Sequence, residues 1–504
     1  MSTAAVPAPG EEWRKLDRRT LLVTAVVMTG VATGAGVPTA VALSGGMGAG
    51  RALAWVLPAA LLLIACGIGG DYVRRRRTRY RIGPDRAELH TGLLLVKRRS
   101  LGRERIRSVD LTANILLRIL GLVKVRIGTG EHTGGESTLE LDPVTRAEGE
   151  RLRTELLGRT PSDTVGAHRD GMLAVLDPRW IRYAPVSFVA PLLGGAAAGG
   201  VMQVSEWFGV QHEVIGWIGD RFRDTSILTM VVVLVVAALL AGIVGSLGLW
   251  VEMWWNYRLE REPGGTLRVR RGLFTSRSVS IEERRLRGVE LVEPLGVRLV
   301  GAARVDAVAT GLAQDDEDKH TDLKTLLPAA PRAAADEVAA QVLRETSSPT
   351  GTAALTAHPL AARGRRLRWA VGSALVPVLI LAILGLLVSD VLLSVAAGCA
   401  AVLLPVAVLL ALDAYRNLGH GLSGGYLVVR SGTVRRSTVA LQRGGVIGWT
   451  VRQSYFQRRA GLLTLTATTA AGDGAYDVYD AAEGEGLAFA ARAVPGLLEP
   501  FLEK

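Results

Sequence analysis

The chain has 504 residues, 49% of them hydrophobic and only 21% charged, with a formal charge of +12 and a mean hydropathy of +0.28. That balance is too apolar for an ordinary soluble protein, and the apolar residues fall in blocks, which points to membrane spans. Its two cysteines, Cys66 and Cys399, both lie inside apolar blocks; they exclude a disulfide framework and read as small hydrophobes.

A polar tail, residues 1–19, ends in Trp13-Arg14-Lys15-Leu16-Asp17-Arg18-Arg19 and runs into an apolar stretch with no convincing cleavage site. That pattern reads as a first transmembrane helix rather than a cleaved signal. The apolar blocks are about 20–45, 52–70, 184–204, 226–251, 369–389 and 391–412. Each approaches or exceeds the ~20 residues that span hydrocarbon, so six helices in three pairs are expected. The pairs occupy 20–70, 184–251 and 367–412. Between the third and fourth blocks, residues 205–225 place Trp207, Val210, Val214, Trp217, Ile218 and Phe222 at helical spacing. The pattern fits an amphipathic helix on the outer leaflet; a re-entrant or packing element is the plainer alternative.

Arginine marks the other ends of the spans. Arg14, Lys15, Arg18 and Arg19 precede the first, and Arg74, Arg75, Arg76, Arg77, Arg79 and Arg81 follow the second. Arg179, Arg182, Arg258 and Arg261 flank the second pair; Arg363, Arg365, Arg366, Arg368 and Arg416 flank the third. By the positive-inside rule both termini and all intervening domains are cytoplasmic, in a multi-pass protein of the cell inner membrane.

The three soluble segments, 79–158, 256–346 and 414–504, are copies of one another, with linkers at 159–183 and 347–366. Counted without gaps from Gly92, Gly272 and Gly432, apolar residues coincide at plus nine (Leu101, Ile281, Leu441) and plus fourteen (Ile106, Leu286, Val446). Val109, Val289 and Trp449 coincide at plus seventeen. Arg118, Arg298 and Arg458 follow at plus twenty-six, and Gly121, Gly301 and Gly461 at plus twenty-nine. A repeat of this length is an internal duplication rather than a solenoid. Each copy reads as short strands closed by one helix. In the first, Tyr80 opens a strand, Pro84-Asp85 turns it, Ala87 to His90 return, and Thr91-Gly92 turns into Leu93 to Val96. Val123 to Ile127 and Leu139 to Leu141 read as further strands. The closing helices fall at about 143–158, 329–345 and 481–503, with Asp142-Pro143 as the first start signal.

A glycine hairpin, an apolar strand with basic residues, then Arg-x-x-Gly: this order resembles the bacterial pleckstrin-homology-like (PH) domain of membrane proteins. It reads Glu104-Arg105-Ile106-Arg107-Ser108-Val109 then Arg118 to Gly121, and Arg284-Arg285-Leu286-Arg287-Gly288-Val289 then Arg298 to Gly301. The third copy departs, with Gly444-Gly445 in place of the basic pair and Ile447 in place of the second arginine. The resemblance implies a membrane α+β protein. Each helix pair is followed by a seven-stranded PH-like antiparallel barrel or sandwich with a C-terminal helix. The family's biochemical role is poorly defined, and some relatives are associated with resistance to membrane-active peptides.

Catalytic chemistry finds little support. The seven histidines, at 90, 133, 168, 212, 320, 358 and 420, are scattered with no two at ligand spacing. Asp315-Asp316-Glu317-Asp318 reads as a solvated loop rather than a cation site. Gly46, Gly48 and Gly50 follow no strand, so a phosphate loop fails its context. No enzyme, metal or cofactor is expected. Nucleic acid is not an expected partner either, because the positive charge lies along membrane flanks. Arg74 to Arg77, Arg105, Arg107, Arg285 and Arg287 are candidate contacts for anionic lipid or a protein partner. Gly92, Arg118, Gly121, Gly272, Arg298, Gly301, Gly432, Arg458 and Gly461 define the repeat. Their arginine could grip a head group bidentately or hold a turn, and its retention in the third copy favours the turn. The expectation is a non-enzymatic scaffold in envelope maintenance or peptide resistance, with a transporter or channel component as the alternative. The spans carry neither the ionisable residues nor the broken helices that transport would want.

Overall fold

The computed structural model describes residues 13–83, 85–92, 97–106, 108–128, 138–156, 171–187, 189–310 and 323–498. The expected strand at Leu93 to Val96 and the acidic run at 315–318 lie outside them. The chain divides into two compact units, Met1–Glu282 and Glu283–Lys504.

The first unit begins with β1 (Arg14–Lys15), the helix pair α1 (Thr20–Met47) and α2 (Ala49–Arg77), then β2 (Arg79–Ile82), β3 (Arg86–Thr91) and β4 (Lys97–Gly102). It continues with β5 (Ser108–Ala113), the short α3 (Ile115–Ile119), β6 (Leu122–Gly128), β7 (Thr138–Thr145) and α4 (Arg146–Leu156). Next come β8 (Gly171–Val175), α5 (Val189–Trp207), α6 (Gln211–Arg221), α7 (Ile227–Trp254), β9 (Arg258–Glu262), β10 (Thr266–Arg271) and β11 (Ser276–Glu282). Its strands form an antiparallel sheet in the order β1-β2-β3-β4 and a second in the order β7-β6-β5-β11-β10-β9-β8.

The second unit holds β12 (Leu286–Pro294), α8 (Leu295–Leu299), β13 (Ala302–Ala309), β14 (Thr325–Pro331), α9 (Arg332–Leu343), α10 (Pro349–Thr352) and the pair α11 (Leu360–Leu387) and α12 (Asp390–Arg416). Then follow β15 (Gly419–Ser423), β16 (Tyr426–Ser431), β17 (Arg435–Gln442), β18 (Val446–Arg452), α13 (Tyr455–Arg459), β19 (Leu462–Thr469), β20 (Ala475–Ala482) and α14 (Glu483–Ala493). Its sheets run β14-β13-β12-β17-β16-β15 and β18-β19-β20.

Alternation explains the soluble elements. In β6, Leu122, Val123, Val125 and Ile127 are buried while Lys124 and Arg126 are not. Leu152 and Leu156 of α4 join them, with Tyr80, Leu89 and Val109, in one core. Leu427, Val439, Leu465 and Phe489 belong to the matching core of the third repeat. The closing helices start later than Asp142-Pro143 suggested. Val144 and Thr145 are still paired with Val123 and Leu122, so α4 begins only where that ladder ends.

The tail before the first helix pair is not free: Arg14 and Lys15 pair with Tyr80 and Arg79 of β2. β8, in the segment read as a linker, does the same for β9, and Thr356 bridges to His420 of β15 before the third pair. Each helix hairpin therefore leaves and re-enters the same sheet.

Among the described residues five helices, not six, are long and apolar enough to cross a membrane: α1, α2, α7, α11 and α12. The block at 184–204 yields α5, of 19 residues, diluted by Gly194, Gly195, Gly199, Gly200, Gln203 and Glu206. Those small residues let α5 approach α7 closely. A Cβ on Gly194 would stand 2.1 Å from the Ala238 carbonyl oxygen, and one on Gly242 would stand 1.9 Å from that of Ala190. The connecting segment forms α6, shorter than the expected 205–225, with Trp217 exposed.

Gly242→Leu should therefore destabilise the protein by about 2 kcal/mol or more through overpacking. Gly248→Leu on the same helix, with nothing within 4 Å, should be nearly silent. Thermal unfolding in detergent distinguishes the two.

Candidate functional site

The Arg-x-x-Gly element is a one-turn helix followed by a glycine in the left-handed region. Gly121, Gly301 and Gly461 have φ of 70°, 70° and 61°. Each carbonyl then accepts the first amide of the closing helix: Arg146 at 3.0 Å, Arg332 at 3.0 Å and Glu483 at 3.1 Å. The glycine is thus the corner that seats the helix, and a side chain there would be strained.

The arginine reaches forward into the next repeat. Arg118 donates from Nη1 to the carbonyl of Leu273, and Arg298 donates from Nη2 to Asp413 Oδ2 at 2.8 Å. Both targets stand beside the hairpin turns opened by Gly272 and Gly432. Those glycines have φ of 112° and 99°, and a Cβ would meet a carbonyl oxygen at 1.9 and 2.0 Å. A carboxylate at the end of the preceding helix holds each turn. Glu252 accepts from the amides of Phe274 and Thr275 at 2.8 and 2.9 Å; Asp413 accepts from the Thr433 hydroxyl at 2.8 Å. Arg458 is exposed and makes no side-chain hydrogen bond or ion pair among the described residues.

The same step joins the sheets. β5 of the first repeat pairs with β11 of the second, Ala113 facing Ser276 and Ser108 facing Ile281. β12 of the second pairs with β17 of the third, Glu293 facing Arg436 and Gly288 facing Leu441. Counted from the hairpin glycines, plus twenty-one meets plus four and plus sixteen meets plus nine in both joints. The expected separate barrels are in fact welded edge to edge in one register.

Buried charge reinforces each weld. Arg153 of α4 grips Glu262 with Nη1 at 2.8 Å and Nη2 at 3.2 Å and reaches Glu150 with Nε at 3.0 Å. Arg268, buried in β10, donates to Glu150 at 2.6 Å, to Glu262 at 3.1 Å and to the Ser278 hydroxyl at 2.8 Å. Burial alone would push the Glu150 and Glu262 carboxyls up; the hydrogen bonds and charge of the two arginines outweigh it and hold both below the ordinary carboxylate range. At the second joint Arg436 grips Glu293 through Nε at 2.8 Å and Nη2 at 2.7 Å, and Arg332 adds a bond at 2.7 Å. Glu290 takes the Ser437 hydroxyl at 2.8 Å, yet burial and the nearby Asp306 push its carboxyl up. Asp110, at the same repeat position as Glu290, is pushed up to about 7 by burial, partly opposed by Arg126.

These geometries have a counterpart in sequence comparison. Residues 35–160, 213–346 and 375–494 each match the bacterial PH domain family, together well over half of the chain. The chain belongs to the bacterial PH domain family. Each match takes in membrane helix as well as strands and the closing helix, so it extends beyond the soluble domain. The chain is also 22% identical over 417 residues to the UPF0699 transmembrane protein YdbT of Bacillus subtilis (strain 168), covering 80% of this chain and 81% of that one. No solved structure matches it.

In this bacterial PH domain chain the predicted basic contacts scatter. Arg74 ends α2 and stands 3.8 Å from Asp142; Arg76 lies over the Tyr72 ring at 4.8 Å. Arg285 is buried at 7% exposure, so its guanidinium is not offered to lipid. Arg287 lies against Gly445, where a Cβ would be 3.1 Å from Arg287 Cδ, whereas a Cβ on Gly444 would meet nothing within 4 Å. Arg107 and the side chain of Arg105 lie outside the described residues.

Sequence spacing missed a buried cluster in the third repeat. His358 and His420, 62 positions apart, bring Nε2 and Nδ1 to 3.0 Å. His358 Nδ1 faces the Asp480 carbonyl at 3.2 Å, so it must donate there, leaving Nε2 to accept from His420. Burial pushes both imidazoles down, His420 to about 4 with help from His358. Asp480 is fully buried, has a φ of 55°, and accepts from Arg365 Nη1 at 2.6 Å and Gln457 Nε2 at 2.9 Å.

Two outcomes follow. Arg268→Met leaves Glu262 and Glu150 with Arg153 as their shared cation and should cost about 1–2 kcal/mol, read as a shift in the unfolding midpoint. The histidines are held neutral in the fold, so the stability they lend is present above their unfolded pKa of about 6.5 and drains as pH falls toward about 4, by roughly 2–3 kcal/mol. His420→Gln keeps a donor without titrating, and its unfolding curve should lose most of that pH dependence.

Proposed function

We propose that this chain is a non-enzymatic membrane scaffold, with both termini and its soluble repeats at the cytoplasmic face of the cell membrane. There its linked sheets bind a protein partner, and its flanking arginines bind anionic lipid. Two features support the orientation: arginines cluster at one end of every helix pair, and each hairpin returns to the sheet it left. Exposed Arg74, Arg76 and Arg77 at the end of α2 are each worth ~1 kcal/mol against an anionic surface.

The carrying observation is the third repeat's vacant joint. β5 and β12 are each capped by a strand of the following repeat; β18, their counterpart, pairs only with β19 among the described residues. Its exposed side includes Ile447 and Val451, with Tyr455 and Phe456 beyond and free Arg458 beside them. An open edge with unpaired backbone groups and apolar neighbours accepts an added strand. The two internal joints show what such a strand does here: it ladders along the edge while an arginine clasps its turn. A strand from a partner protein is the fitting occupant.

A photo-crosslinking residue at Ile447 or Val451 in the full chain, in cells, should give protein adducts identifiable by mass spectrometry. The same probe at Val292, where β12 is already capped, should give only intramolecular product. Lipid adducts alone at Ile447 would sink the proposal, and adducts to a second copy would make the partner this chain itself.

A further inference from the structure

An open cleft of about 410 Å³ lies between the first turns of α11 and the last turns of α12, lined among others by Arg365, Arg366, Trp369, Leu410, Ala411 and Thr433. Its charge does not balance. Arg365 Nη1 is paired with Asp480 Oδ1 at 2.6 Å, but Arg366 Nε stands 3.6 Å from Asp480 Oδ2, beyond hydrogen-bond reach. Two guanidiniums thus share one carboxylate. Their side chains are only 26% and 22% exposed; Arg366 Nε and Asp480 Oδ2 face each other buried and unbonded among the described residues, so what Arg366 can offer the cleft is the remainder of its guanidinium. Leaving donors of a charged group unmet away from water is costly unless an acceptor arrives.

Apart from Ser373 and Thr433, the rest of the wall is apolar, with Trp369, Ala370, Leu410 and Ala411. Arg363, Arg365, Arg366 and Arg368 immediately precede the apolar run of α11, and Trp369 is 66% exposed. Arginine followed by tryptophan at the start of a span is the pattern of the membrane–water boundary. A guanidinium fork suits a phosphate, and the greasy wall below suits what hangs from one.

We infer that this cleft holds the phosphate of an anionic phospholipid, Arg366 supplying the free donors and the α11–α12 wall the seat for the acyl chain. It deepens the scaffold reading, resting on α11 and α12 being membrane spans, and gives one repeat a defined lipid site.

The test uses the full chain in nanodiscs of phosphatidylcholine alone or mixed with phosphatidylglycerol, with native mass spectrometry reading the lipid that stays bound. The wild type should retain phosphatidylglycerol over phosphatidylcholine. Arg366→Gln should cut that preference about five-fold, while Arg363→Gln and Arg368→Gln, on the same helix but outside the cleft, should leave most of it. Leu410→Trp fills the cleft without changing charge and should also lower retention. An unfolding temperature near the wild type's in pure phosphatidylcholine confirms that each variant is folded. Equal retention of the two lipids by the wild type, or full preference in both Arg366→Gln and Leu410→Trp, overturns the cleft. Stabilisation by inorganic phosphate without selective lipid retention overturns the lipid assignment. If the preference survives both cleft variants but falls when Arg74 to Arg77 are made Gln, the wider lipid reading stands and this site fails.

Discussion

A strand at the rim of a sheet leaves a row of amide and carbonyl groups without partners, and much of this architecture follows from how those rims are closed. β5 takes β11 and β12 takes β17, in one register counted from the hairpin glycines. The consequence is that a repeat's second sheet is continuous with the next repeat's first sheet. Within each unit the joined sheets cannot rotate independently without breaking a ladder, and each ladder bond is worth about 1 kcal/mol. Lateral fixing of this kind suits a protein whose units are already restrained by helix hairpins.

The charged networks follow from the weld. Once α4 of one copy lies over β9 and β10 of the next, Glu150, Arg153, Glu262 and Arg268 are removed from water together. Buried ions of this sort contribute little over an apolar equivalent, but losing one partner is expensive, so they specify which surfaces meet. The second joint uses different residues for the same end, with Glu293 between Arg332 and Arg436. What recurs between copies is the geometry; the ion pairs are re-invented.

The repeat, its glycines and most strands were legible because backbone demands leave residue-level marks. Gly121, Gly301 and Gly461 sit where a left-handed corner is needed, and the alternation in Val123 to Ile127 names the buried face of β6. Partners were not legible. Arg118 and Arg298 recur at one position, but what they touch lies in the following copy, 155 and 115 residues away. His358 and His420 meet only because Thr356 bridges to β15. Asp110 and Glu290 shared a position that a search for identical residues passed over. The third span was misjudged because alanine and glycine read as apolar in a block yet carry too little hydropathy over the length of a helix. Their value lies in close packing against α7.

The third copy departs from the other two at the positions that form their joints. Its counterpart of the basic strand holds Gly445 against the Arg287 side chain, while Gly444 and Ile447 face open space. Arg458 keeps its place with no side-chain partner among the described residues, and β18 pairs with β19 while its other edge meets no strand among them. A residue kept only to stabilise its own turn would not need a guanidinium, because the glycine at plus twenty-nine and its carbonyl bond already do that in all three copies. The same copy gathers His358, His420, Asp480, Arg365 and Arg366 where its helix pair meets its sheet. The third copy thus holds both a pair of arginines sharing one carboxylate and a strand edge unpaired among the described residues, the two features on which the lipid and partner proposals rest.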